Sequence, residues 1–108
     1  MAPKKKALTK TIRVAKRLPM EASISGLEGK AVFIRCVTHY YTGRLAYVGR
    51  DQLVLDDAAW VADTGRFATA LGTGALSEVE PYPGRVYIML GSVVDVSEWK
   101  HPLPRETK

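Results

Sequence analysis

Between Ala31 and Val37 apolar residues alternate, with Val32, Ile34 and Cys36 on one side of an extended chain and Phe33, Arg35 and Val37 on the other. That is the two-residue period of a β-strand. A second run, Tyr41–Val48, is rich in Tyr and carries Gly43 in its middle. A glycine there weakens a regular strand and suits a sharp bend or a close backbone approach. Gly49-Arg50-Asp51 reads as a turn, and Gln52–Leu55 as a short third strand ending at the paired acids Asp56 and Asp57. Three runs spaced this tightly leave no room for a helix and predict an antiparallel meander.

Downstream, Ala58-Ala59-Trp60-Val61-Ala62 reads as an excursion from the sheet, anchored by Trp60, and Asp63–Gly72 as one or two helical turns. Asp63 or Thr64 would cap the free amides, Phe67 and Leu71 share a face, and Gly72 is the expected stop. Residues 77–81 and 85–90 read as two further strands around the turn Pro81-Tyr82-Pro83-Gly84. Gly91-Ser92 turns the chain into a last strand, Val93–Val96, before Trp99. Upstream, Pro19–Ile24 suits a short helix that Gly26 ends. Leu8, Ile12 and Ala15 also permit a longer one, which Pro19 interrupts. The pattern predicts a mainly β domain of five or six strands.

The 108 residues suffice for one domain, and 46% hydrophobic with 25% charged residues is a globular balance without any apolar run of membrane-spanning length. No signal-like segment follows the first lysines, so a cytoplasmic location is the expectation. Cys36 is the single cysteine and has no partner for an internal disulfide; its place on the strand assigns it to core packing.

Charge divides the chain into unequal parts. Lys4, Lys5, Lys6, Lys10, Arg13, Lys16 and Arg17 stand in a stretch without acids, so residues 1–20 carry +7 of a net +5 and the remainder is slightly acidic. Residues 1–17 therefore form a basic arm able to neutralise phosphates without reading sequence, or simply a solvated extension. Residues 18–99 hold the folded domain, and the proline-punctuated residues 100–108 read as an extended polar tail.

No catalytic constellation emerges. Asp56 and Asp57 are neighbours on a strand and point to opposite faces, which prevents both from clamping one metal. His39 and His101 lack Cys, Asp or Glu at metal or triad spacing. The expectations are no enzyme, no cofactor, no metal and no small-molecule substrate. His39, Tyr40 and Tyr41 are nevertheless an aromatic cluster suited to stacking on bases.

Taken in order, Gly29-Lys30-x-Val32, the glycine-bent strand with Gly43-x-Leu45, the acid-ended Leu53-Val54-Leu55-Asp56-Asp57-Ala58 and the late Ile88-Met89-Leu90-Gly91-Ser92-Val93-Val94 resemble the two-part signature of the Sm-like family, in the manner of a divergent prokaryotic or phage-type member. The resemblance covers residues 20–98. It implies a small, strongly bent five-stranded barrel with an N-terminal helix, here with a short helical insertion after the third strand, and subunits joined edge to edge into a homo-oligomeric ring. It also implies single-stranded RNA binding through the turn before the third strand and the turn between the last two. In this chain those turns supply Arg50, Asp51 and Gln52, then Gly91 and Ser92, with Leu90 where the family carries arginine. A ring that has lost this pocket and serves as a structural or protein-interaction scaffold is the alternative.

Overall fold

The computed structural model describes residues 22–108. Six antiparallel strands form one sheet: β1 (Ala31–Cys36), β2 (Tyr40–Val48), β3 (Gln52–Asp63), β4 (Glu78–Pro81), β5 (Val86–Met89) and β6 (Val93–Glu98). The path runs β4-β3-β2-β1-β6, and β5 pairs with β3 as well. Along one edge of β3, β5 takes Gln52 to Leu55 and β4 takes Ala59 to Asp63. One α-helix, α1 (Phe67–Thr73), connects β3 to β4. Among the described residues the sheet does not close on itself.

The alternation read in β1 survives folding and is used on both faces. Val32, Ile34 and Cys36 join Leu45, Leu53, Leu55 and Ile88 in one buried cluster. Val93 and Val96 of β6 pack against the same cluster. Strands β5 and β6 lie at opposite ends of the pairing order, so both can reach one cluster only if the sheet is strongly curled. The other face gives Phe33, Ala59, Val61 and Val79 to a second cluster, covered by Ala70 of α1 and by Leu76, Trp99 and Leu103. Phe33 is its centre, with ring centroids 5.3 Å from Tyr40 and 5.4 Å from Trp99.

The curl has local causes. Thr42 pairs with Ala59 and Arg44 with Asp56, so Asp57 and Ala58 together oppose the single Gly43. This is a β-bulge, and Asp57 takes the left-handed φ of 52° that the extra residue demands. A second irregularity, between Leu45 and Tyr47, leaves Ala46 as the extra residue on β2.

The bulge explains the largest departure from the sequence reading. Asp56 and Asp57 do not end the third strand; it continues through Ala58–Ala62 to Asp63, and the expected excursion is sheet. Asp56 is held by Arg85 (2.7 and 3.0 Å), and Asp57 pairs with Arg105 at 2.8 Å. Partners from remote segments thus make acids compatible with a strand interior.

Helix α1 starts later than expected and has no side-chain cap at Arg66. Asp63 instead accepts from the Gly65 amide, and the Thr64 hydroxyl donates to the Gly65 carbonyl. Gly74 rather than Gly72 ends the helix, because the φ of 82° falls at Gly74. Ahead of β1, Ile24–Leu27 forms a 3-10 turn that runs through Gly26 instead of stopping there. The rest of the expected N-terminal helix lies outside the described residues.

The tail is extended, as its prolines suggest, but it is docked along the domain. The Trp99 indole donates to the Pro102 carbonyl, and His101 Nε2 bonds the Leu71 carbonyl at 2.7 Å. Val79 and Lys108 exchange both backbone hydrogen bonds, at 3.1 and 2.8 Å. The tail therefore occupies the outer edge of β4.

Candidate nucleic-acid interface

The two turns singled out from the sequence meet. Gly49 donates to the Gln52 carbonyl (2.8 Å), closing the first turn, and the Leu90 amide donates to the Asp51 carbonyl (2.9 Å), fastening the second turn onto it. Gln52 pairs with Met89 in the ladder between β3 and β5. Leu90–Ser92 is a 3-10 turn that carries the chain across to β1, where Cys36 pairs with Val93. Arg50, Asp51, Gly91 and Ser92 are exposed, whereas Gln52 is half-buried.

The polar resources of this surface are narrower than its residue names suggest. The Ser92 hydroxyl donates to the Met89 carbonyl at 2.9 Å and also faces the Cys36 thiol. Burial pushes that thiol up and the contact with Ser92 only partly offsets it, so Cys36 is a protonated core residue. Among the described residues, the side chains of the paired turns left without a hydrogen-bond or ion-pair partner are one guanidinium, one carboxylate and one carboxamide. Together they can stack on and hydrogen-bond a base, but add no net positive charge.

His39 and Tyr40 stand elsewhere, at the opposite end of β2. The His39 ring is hydrogen-bonded with Thr38 Oγ1 (2.9 Å) and the Tyr41 hydroxyl (3.1 Å). Its centroid lies 5.0 Å from Tyr41 and 6.0 Å from Trp60. Burial, then the neighbouring Tyr82, pushes the Tyr41 phenol up to about 12. Tyr40 turns to the other side of the sheet and stacks on Phe33, so the histidine and its two tyrosines do not form one stacking platform. This corrects the three-residue cluster: Tyr40 is a packing residue. The basic residues Lys4, Lys5, Lys6, Lys10, Arg13, Lys16 and Arg17 lie outside the described residues.

Two features escaped the sequence reading. Asp56, Asp57, Arg85 and Arg105 line a polar cleft of about 590 Å³ beside Pro81–Gly84. Its charges are paired within the chain, with the Arg85 guanidinium holding the Asp56 carboxyl below its usual range. The other is a smaller cleft on Trp60, Glu80, Pro81 and Tyr82, invisible while Trp60 was read as lying outside the sheet. Among the described residues no group of three or more His, Cys, Asp or Glu could hold a metal ion, and no helix is long and apolar enough to cross a membrane. No protein-family model and no curated protein matches this sequence.

Proposed function

We propose that this chain is a ring-forming Sm-like protein that binds single-stranded RNA or another nucleic acid without catalysis, drawing most of its affinity from the basic residues of 1–17. The observation that carries the reading is the path β6-β1-β2-β3-β5, curled around one core, with the turns at 49–52 and 90–92 fastened together at its end. The two turns are those to which the family resemblance assigns RNA binding. Among the described residues β5 and β6 each pair on one side only, and Tyr87, Met89 and Val94 stand exposed on them. Such edges invite strands from neighbouring copies.

Leu90 in place of the family's arginine and the internal bond of Ser92 favour a second reading, a scaffold ring without an RNA pocket. Fluorescence anisotropy with short U-rich and A-rich RNAs at two salt concentrations separates the two. Seven cations acting on a single strand give a log–log salt slope approaching about −5. Deleting residues 1–17 should abolish most binding, and Arg50→Ala should weaken the remainder. Absence of binding by the intact chain at low salt leaves the scaffold reading.

A further inference from the structure

Trp60 of β3 stands between Tyr41 of β2 and Glu80 of β4, its direct partners in the two ladders. Directly paired residues project from the same face of a sheet, so the three side chains form one row. Just past β4 the chain returns: the Tyr82 amide donates to the Ala58 carbonyl (2.8 Å), and the Tyr82 ring lies 6.2 Å from that of Tyr41. Trp60, Glu80, Pro81 and Tyr82 then line a cleft of about 270 Å³. Behind the lining, His39 is bonded with the Tyr41 hydroxyl, and its ring centroid lies 6.0 Å from that of Trp60.

The chemistry of these walls is selective. Asp56, Asp57 and Asp95 are each neutralised by an arginine; Glu80, like Asp51, Asp63, Glu78 and Glu98, is exposed and makes no ion pair among the described residues, and of these acids it alone lines this cleft. An anion would meet that carboxylate and the negative faces of two rings. A neutral apolar ligand would shield Glu80 from water without giving it a partner. A cation gains from both, since aromatic faces attract positive charge within about 6 Å of the ring centroid.

We propose that this cleft is a binding site for a side-chain-sized organic cation, an alkylammonium or guanidinium group, held against Trp60 and Tyr82 with Glu80 as its counter-charge. The site requires neither ring assembly nor nucleic acid.

The chain has two tryptophans, and Trp99 is buried at 3% exposure, so a ligand-induced emission change reports Trp60. Choline and arginine amide, titrated into the full-length protein, are expected to give saturable changes with half-saturation in the millimolar range. Sodium chloride at equal concentration and 3,3-dimethylbutan-1-ol, the uncharged analogue of choline's shape, should give none. Glu80→Gln, nearly isosteric at an exposed position, should weaken choline about two- to five-fold with an unchanged far-UV spectrum. Tyr82→Ala should do the same. Equal responses to choline and its neutral analogue, or unchanged choline affinity in Glu80→Gln, overturn the proposal. The full chain with Lys4, Lys5 and Lys6 changed to glutamine distinguishes the source of the cation. Tighter choline binding in that variant identifies these lysines as competitors for the cleft, and an unchanged titration excludes them as its occupants.

Discussion

A Cβ placed on Gly43 would meet Leu55 Cδ1 at 3.0 Å, Ala58 Cα at 3.2 Å and the Asp56 carbonyl oxygen at 3.2 Å. Two of these are backbone atoms in the β3 bulge, so a change of rotamer cannot relieve the contact. Gly43→Val is expected to destabilise the domain by about 1–3 kcal/mol, read as a lower urea midpoint at unchanged m. An unchanged midpoint would mean that the bend does not depend on that close approach. Tyr41 provides a test with an opposite sense to the familiar loss of stability in acid. A phenol raised from 10 when unfolded to about 12 when folded keeps its proton longer in the native state. Its contribution is complete below pH 10 and is lost as pH rises toward 12. Ultraviolet titration should therefore show a phenol that ionises near pH 12 and is absent in Tyr41→Phe. A titration curve that Tyr41→Phe leaves unchanged above about pH 11 would contradict the burial argument.

At the scale of elements, the tail from His101 to Lys108 acts as part of the fold. Leu103 packs on the Phe33 cluster, Arg105 pairs with Asp57, and Lys108 takes both backbone bonds of Val79. Ending the chain after Lys100 is expected to cost at least about 2 kcal/mol, given about 1 kcal/mol for each of the two backbone bonds lost at Val79 alone. For a domain of this size that is a fall of roughly 10 °C in Tm, with faster hydrogen exchange at the Val79 amide. Unchanged Tm and Val79 protection would make the docking incidental. Sequence pattern located β1, β2 and the start of β3 because their apolar residues report directly which face is buried. It stopped β3 too early because Asp56 and Asp57 look like a boundary, and the arginines that accommodate them are 29 and 48 residues away. The docked tail was illegible for the same reason: its partners, Leu71, Val79 and Asp57, are tertiary neighbours. Among the candidate site residues, the two turns meet through the Leu90–Asp51 backbone bond, which no local pattern reports, and the separation of Tyr40 from His39 depends on which face each residue takes once the strand is placed.

For the whole molecule, the disposition of edges makes assembly a question of where pairing can occur. The tail covers the outer edge of β4 at Val79, while among the described residues β5 and β6 pair on one side only, with Tyr87, Met89 and Val94 exposed. In the proposed ring, β5 would pair head-to-tail with β6 of the next copy, a heterologous contact of the kind that either closes into a ring or continues as a filament. Light scattering should therefore give a defined multiple of the 11.9 kDa chain mass that does not grow with concentration. Val94→Lys is the discriminating variant. Its side chain is 52% exposed, so the substitution should change the stability of one subunit by no more than about 0.5 kcal/mol. A lysine on a pairing edge opposes strand addition, so the assembly should dissociate to single chains with an unchanged far-UV spectrum. Retention of the full mass in Val94→Lys would exclude this position from the assembly contact, and a single-chain mass for the unmodified protein at micromolar concentration would exclude the ring.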